Sequence, residues 1–417
     1  MPDKRLVQGD VRAVGRGGDA VVETAKGVVL VPGALPGERV ELALGSSRRG
    51  AARGRLTRVL RAATERREPS CVDASRCGGC PLMIATPDLQ RRIKEGFVRD
   101  ACRGLPGADR SEIEWVTSPA ELGYRRRARL AWHRGTIGYR QLHSKRVTDI
   151  RECVVLMKPL RAGWDEAREQ LASSLRGTGE IQLQLTGADR VVVDLHANED
   201  QPPELFESCE ALSTRPVVAG VTLRVGTSGH PATWGETRVV IPGGGDGTLD
   251  GPGGAFSQAN DEVNAKLVST VVELSEPAGL RVLELHCGIG NFTVGLAASA
   301  KTLVAVEQDP RAVEACQRNL KGRGLHARVV VGDANQPPKG QYDVVVLDPP
   351  RQGSKTLFES NLLPGPKRLI YVSCDTATLG RDLRLATAKG YRIDRIVGFD
   401  MFPQTAHLES LVRLVRA

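Results

Sequence analysis

Along the last third of the chain, short apolar runs alternate with segments whose apolar residues recur every three or four positions. Runs at Leu280–Leu285, Thr302–Val306, Ala327–Val331, Asp343–Leu347, Arg368–Ser373 and Tyr391–Val397 predict strands, and Val263, Leu267 and Val271 mark a helix ahead of them. A final apolar segment, Leu408–Val415, closes the pattern. This alternation predicts an α/β fold with a doubly wound, mostly parallel sheet. The beginning of the chain reads differently. Val28–Val31, Arg39–Leu44 and Arg55–Leu60 are short alternating runs broken by Gly15, Gly17-Gly18, Gly33 and Pro36-Gly37, which predicts a small β-barrel. From Trp164 to about Val240, helix and strand patterns mix without a motif that carries chemistry. The glycine-rich stretch from Pro242 to Gly254 reads as a flexible connection at a domain boundary. Three domains are therefore expected, at 1–62, 63–250 and 251–417.

Composition changes this picture little. A chain of 417 residues with 41% hydrophobic and 26% charged residues fits a multidomain globular protein. Met1-Pro-Asp-Lys-Arg-Leu6 contains no apolar region, and no apolar run approaches the ~18 residues of a membrane span. A cytoplasmic location is expected, where nine cysteines serve as thiols or metal ligands rather than disulfides.

The placement of charge says more than the net charge of +9. Arg48 to Arg67 holds eight arginines and one acid, Glu65, beside and within a predicted barrel strand, which suits an edge that tracks phosphates. Tyr124 to Arg146 holds eight Arg or Lys, no acid, and the aromatics Tyr124, Trp132 and Tyr139. Cations interleaved with aromatic rings suit the phosphates and unstacked bases of RNA.

Cys71-Val-Asp-Ala-Ser-Arg-Cys77-Gly-Gly-Cys80 is the strongest local metal signal, because Gly-Gly lets both flanking thiolates face one centre. A fourth ligand is needed. Cys102 falls among Leu89, Ile93 and Phe97 on an amphipathic helical stretch and is expected to pack, so Cys153 is chosen. Spacing alone leaves a 4Fe–4S cluster and zinc both open. Cys209, His196 and His230 are read as structural.

The C-terminal sheet carries further chemistry. After its first strand stands His286-Cys-Gly-Ile-Gly-Asn291, whose glycines let backbone approach a ligand. The next strand ends in Glu307, placed for ribose hydroxyls, and Asp333 follows the third. No phosphate loop follows, so an adenosine without phosphates, S-adenosylmethionine, fits better than a pyrophosphate cofactor, with Asp333 towards the adenine amino group. The fourth strand ends in Asp348-Pro-Pro-Arg351 and the fifth at Cys374. In the strand order usual for methyltransferases these ends share one rim with Asn291. An antiparallel last strand would start there with Glu409.

These motifs together resemble the RNA uracil-C5 methyltransferase family, in its iron–sulfur-containing ribosomal-RNA branch. The resemblance spans nearly the whole chain. It rests on a start similar to the RNA-binding TRAM domain (Val31-Pro-Gly-Ala-Leu-Pro-Gly-Glu38), the three spaced cysteines with Cys153, Phe256-x-Gln258-x-Asn260, Cys-Gly-Ile-Gly-Asn-Phe292, Asp-Pro-Pro-Arg, Ser373-Cys-Asp-Thr-Ala-Thr-Leu379 and His407-x-Glu409. It implies a 4Fe–4S cluster on Cys71, Cys77, Cys80 and Cys153, Cys374 as nucleophile and Glu409 as base. Gln258, His286, Asn291, Glu307, Asp333 and Asp348 are then expected around the cofactor, with His286 standing where an aromatic ring is usual. A helix start just after Cys374 is expected to lower its pKa.

Ribosomal RNA is the expected substrate, because relatives without the cysteines tend towards tRNA, which stays the main rival. An adenine N6 methyltransferase is disfavoured by Arg351. A non-catalytic RNA-binding protein is disfavoured by the joint presence of Cys374 and Glu409. A monomer is expected.

Overall fold

The computed structural model describes residues 6–45, 52–226, 230–245, 247–360 and 365–416. The first strands, β1 (Leu6–Val14), β2 (Ala20–Thr24), β3 (Gly27–Val31), β4 (Arg39–Leu44) and β5 (Ala52–Arg61), close into a barrel in the order β1-β2-β3-β5-β4. Alternate residues (Val11, Val22, Val29, Val31, Val40, Leu42) fill its interior. Arg53, Arg55, Arg58 and Arg61 point outwards from β5. Two other members of the arginine run do not form an exposed edge: Arg66 grips the buried Glu38, and Arg67 reaches Glu121 and Gln404. Arg48 and Arg49 lie outside the described residues.

Next come α1 (Pro87–Cys102), capped by Thr86 with Pro87 in its first turn, and β6 (Ile113–Val116). Strands β7 (Arg127–His133), β8 (Thr136–Arg140) and β9 (Val147–Thr148) follow. After them come α2 (Lys158–Leu171), β10 (Thr178–Thr186), β11 (Arg190–Ala197), α3 (Pro203–Ser213), β12 (Val218–Val225) and β13 (Ala232–Gly235). The strands from β7 to β13 form a seven-stranded sheet, ordered β13-β12-β11-β10-β7-β8-β9, packed against α2 and α3.

The stretch expected to be a flexible connection is instead a hairpin of β14 (Val239–Pro242) and β15 (Thr248–Gly251). Val239, Ile241 and Leu249 bury one face of it. Its glycines supply the turn, with Gly244 and Gly245 at positive φ.

Then follow α4 (Asp261–Ser275), β16 (Arg281–Leu285), α5 (Thr293–Ala297), β17 (Thr302–Glu307), α6 (Pro310–Lys321), β18 (Arg328–Val331) and β19 (Val344–Leu347). The chain ends with α7 (Lys355–Glu359), β20 (Arg368–Ser373), α8 (Thr376–Ala388), β21 (Tyr391–Phe399) and β22 (Glu409–Arg416). These strands form one eight-stranded sheet in the order β18-β17-β16-β19-β20-β22-β21-β6, in which β22 runs antiparallel to both neighbours. Its central strands are buried on both faces and apolar but for Glu284 in β16, the arginines that start β16 and β20, and Ser373 at the end of β20, as a sheet covered on both sides requires.

Part of the expected middle domain, 63–250, packs with the C-terminal sheet. β6 adds to the far edge of the C-terminal sheet beside β21, and α1 lies against α8. Gly380 permits that approach, since a Cβ there would stand 2.9 Å from the Ala101 carbonyl oxygen. Among the described residues no helix is long and apolar enough to cross a membrane.

Candidate active site

The parallel strands β16, β17, β19 and β20 end at one rim, and β22 begins there. A pocket with an empty volume of about 530 Å³ opens at the end of β16. Gln258, His286, Asn291 and Asp348, four of the expected cofactor residues, line it together with Phe256, Asn264 and the backbone of the glycine loop. His286 has φ 64°, the left-handed turn by which the chain leaves β16. Asn291 and Asn264 exchange amide hydrogen bonds of 2.9 and 3.1 Å, which ties the loop to α4. Asn260 sets that helix in place by capping it at Val263 N. The buried Oε1 of Gln258 has no hydrogen-bond partner among the described residues, so an acceptor is free beside the pocket.

Glu307 and Asp333 do not line this pocket. Glu307 accepts from Gly288 N at 3.0 Å and so braces the loop from the end of β17. Asp333 is exposed after β18. Both carboxylates face His286, whose pKa is nevertheless lowered because burial outweighs them.

Cys374 and Glu409 lie beyond the pocket, with Asp348 between the two regions. Glu409 is 3% exposed, and its Oε2 has no partner among the described residues. Burial raises its carboxyl well above the ordinary range, Asp348 adds to this, and Arg351 opposes it. Asp348 itself is pushed up to about 7 by burial.

The thiol does not follow the expectation of a lowered pKa. Burial, Glu409 and Asp348 push Cys374 up to about 12, with Arg351 working against them. The helix start fails to help because Asp375 caps it, accepting from Ala377 N at 2.9 Å and Thr378 N at 3.0 Å. That carboxylate occupies the donors on which a thiolate would have drawn.

Cys71, Cys77, Cys80 and Cys153 line one separate cavity of about 340 Å³ empty volume with Met83, Tyr139 and Val155. Burial raises all four thiols, Cys77 to about 11 and Cys80 to about 12; repulsion from the neighbouring cysteines adds to it at Cys77, Cys80 and Cys153, and from Asp73 and Glu152 at Cys71. Among the described residues no group of three or more His, Cys, Asp or Glu side chains is arranged to hold a metal ion. Cys102 and Cys209 are buried in apolar cores, as expected of packing residues.

The basic aromatic stretch divides in two. Tyr124 and Trp132 are core residues, and Tyr139 packs edge-on against Trp164, so the rings are not surface platforms. Arg126 is buried against both oxygens of Asp261, while Arg134, Arg140, Lys145 and Arg146 are exposed.

Two sequence families match the C-terminal half: the Methyltransferase small domain over residues 247–362 and tRNA (Uracil-5-)-methyltransferase over residues 339–417. The chain is 34% identical to the 23S rRNA (uracil(1939)-C(5))-methyltransferase RlmD of Pseudomonas entomophila, over 91% of this chain and 87% of that protein. It is 33% identical to the RlmD of Edwardsiella ictaluri, over 96% and 93%. The chain belongs to the 23S rRNA (uracil-C5)-methyltransferase family. Its fold is similar to that of the tRNA (uracil-54, C5)-methyltransferase of Pyrococcus abyssi in complex with S-adenosyl-L-homocysteine, with a TM-score of 0.73 and 25% identity over 98% of this chain and 100% of that one.

Two polar residues of this family member escaped the sequence reading although both interrupt apolar patterns. Glu284, in the middle of Val282-Leu-Glu-Leu285, is buried with Thr293, Cys316, Asp348 and Glu307 around it. Asn264 stands on the buried stripe of α4 beside Val263 and Leu267.

Proposed function

We propose that this chain methylates C5 of a uracil in 23S ribosomal RNA, with Cys374 as nucleophile and Glu409 as base. The observation that carries this reading is the rung Ser373↔Ser410 of the β20–β22 pair, from which Cys374 and Glu409 follow side by side on the rim that bears Asp348. Uracil C5 is too weak a nucleophile to take a methyl group unaided. Cys374 Sγ bonds to C6, and the C5–C6 π electrons move towards the C4 carbonyl, which makes C5 enolate-like. S-adenosylmethionine, when bound, supplies a methyl group activated by its positive sulfonium. Gln258, His286, Asn291 and Asp348 would hold it, and we read Glu307 and Asp333 as the residues that would meet its ribose and adenine. Once C5 is methylated, Glu409 removes the C5 proton; the double bond re-forms and the Cys374–C6 bond breaks.

Arg351 is the cation at this site: its charge acts on both Cys374 and Glu409, and its guanidinium makes no hydrogen bond or salt bridge among the described residues. It would favour the thiolate against the surrounding carboxyls.

The N-terminal barrel we read as a TRAM-type RNA-binding domain, on the outward arginines of β5. The four cysteines of the separate cavity fit a 4Fe–4S cluster. Their half-buried thiols line one cavity; burial raises all four, Arg125 acts against this at Cys80 and Cys153, and the iron of a bound cluster would offset the thiolate charge.

Extracting the target base from its stack costs a few kcal/mol, which contacts with the basic surfaces would offset. The test is RNA carrying 5-fluorouridine together with the methyl donor. Fluorine cannot leave as a proton, so a covalent protein–RNA adduct should form and should be lost in Cys374→Ala. No adduct with the intact protein, or an adduct with Cys374→Ala, would overturn the reading. Ribosomal RNA from cells lacking the protein should also lack one 5-methyluridine; a loss from tRNA instead would favour the rival substrate.

A further inference from the structure

The loop from Asp400 to Leu408 joins β21 to β22 and delivers Glu409 to the rim. The strand ladder sets Phe399 opposite Glu409, so the chain leaves and re-enters the sheet at one rung. The loop between is held by elements from far back in the sequence. Lys94 of α1, with no exposed surface, donates to Asp400 Oδ1 at 2.6 Å and to the Phe402 carbonyl at 3.0 Å. One turn earlier on the same helix face, Gln90 Oε1 accepts from Gln404 N at 2.8 Å, and Gln90 Nε2 donates to Gln404 Oε1 at 2.9 Å. Tyr124 Oη donates to the Pro403 carbonyl at 3.0 Å. Leu82 N, two residues after Cys80, donates to the Gln404 carbonyl at 3.0 Å. Gln404 holds φ 71°, a left-handed conformation that a side chain of this kind adopts only when its surroundings impose it.

Two polar residues on the buried face of α1 thus reach out of the helix to the loop, Gln90 also holding the Ala85 carbonyl just ahead of it, while its other core-facing residues include Leu89, Ile93, Phe97 and Val98. They mould a loop. A buried ion pair is a weak source of stability, so its placement here calls for another role. Cys374 and Asp348 depend on none of these contacts, since they sit at the ends of β20 and β19 within the parallel ladder. Of the proposed reacting groups, only Glu409 is delivered by the loop.

We propose that Lys94 and Gln404 are positioning residues for proton abstraction: the α1 mould fixes the Glu409 carboxyl against the target carbon, and loosening it slows removal of the C5 proton while leaving addition at C6 and methyl transfer intact. This rests on the function proposed above. The test compares two readouts in the full-length protein, the rate of covalent trapping by 5-fluorouridine RNA and the turnover of normal uridine RNA. In Lys94→Met, trapping should stay within about twofold of the unmodified protein, while turnover falls about tenfold or more and adduct with normal RNA accumulates. Tyr124→Phe removes one hydrogen bond without changing the packing and should show the same split at about threefold. If Lys94→Met does not fold, as judged by thermal melting, Tyr124→Phe decides. Trapping and turnover falling together, or neither falling, would overturn the proposal. Failure of the unmodified protein to trap at all would instead overturn the underlying function.

Discussion

Ser410 Oγ donates to the Ser373 carbonyl at 3.0 Å across the antiparallel β20–β22 pair. One residue beyond Ser373 is Cys374, and one before Ser410 is Glu409, so a single rung fixes the neighbourhood of both. A slip of one residue would turn either side chain to the opposite face of the sheet. With this pairing, Glu409→Gln should leave addition and methyl transfer available and block the release of Cys374. Turnover is expected to fall by about 10²–10⁴-fold, the usual contribution of a general base. The covalent adduct with normal uridine RNA should build up and be visible on a denaturing gel. Fast turnover without adduct would remove Glu409 as the base.

Asp348 predicts a pH dependence of donor binding. Its carboxyl is pushed up to about 7 by burial, and Glu284, Cys374 and Glu409 all face it. An ionised Asp348 favours the positive sulfonium, so affinity for S-adenosylmethionine should rise with pH, about tenfold per unit below pH 7, and level off above it. S-adenosylhomocysteine lacks that charge and should give a flatter profile by calorimetry. Asp348→Asn should flatten the first profile too. The same shift means that the empty protein binds this proton more tightly than the unfolded chain does. Its stability should therefore decline as pH rises from 3.8 through about 7. Equal profiles for the two ligands would count against this role for Asp348.

The strands of the C-terminal sheet were legible because each is a continuous apolar run, and their ends carried the motifs. The meeting of Cys374 with Glu409 followed from that order and from one antiparallel strand. Three features were not legible. α1 and β6 show ordinary amphipathic patterns, and nothing in an apolar stripe says which sheet will receive it. The hairpin of β14 and β15 was hidden by glycines that mark turns and linkers alike. The state of Cys374 was misjudged because Asp375 is at once a good helix cap and a competitor for the helix dipole, a double role that spacing does not reveal. Lys94 and Gln90 carried a usable signal, being polar positions on a face that is otherwise apolar.

The four cysteines around one cavity should behave as a set. Changing Cys71, Cys77, Cys80 or Cys153 singly to Ser should lower iron content and visible absorbance of the purified protein, since a cluster of this kind takes four thiolates. Cys102→Ser and Cys209→Ser should leave both unchanged, because those thiols are buried among apolar side chains in separate cores. Recovery of zinc in place of iron would exclude the cluster while keeping the ligand set.

Asp382 should act on the loop that follows Asp348. It is fully buried on α8 and accepts from Ser354 N at 2.7 Å, Tyr371 Oη at 2.7 Å and Arg381 Nε at 2.8 Å. Arg381 also donates to the Gln352 carbonyl at 2.7 Å, and Thr378 Oγ1 to the Arg351 carbonyl at 3.0 Å, so α8 grips the loop at several points. Burial and the adjacent Asp382 push the Tyr371 phenol up, which keeps it protonated as the donor. Asp382→Asn replaces an acceptor with an amide donor and leaves at least one of these partners unsatisfied. A loss of about 1.5–3 kcal/mol in urea unfolding is expected, the range for hydrogen bonds to a charged group. Tyr371→Phe removes a single donor and leaves the carboxylate its other two, so its cost should be smaller. Because the grip holds Arg351 beside Cys374 and Glu409 rather than beside the donor pocket, Asp382→Asn should reduce turnover while donor affinity stays close to that of the unmodified protein. A parallel loss of donor affinity would show that α8 shapes the pocket as well.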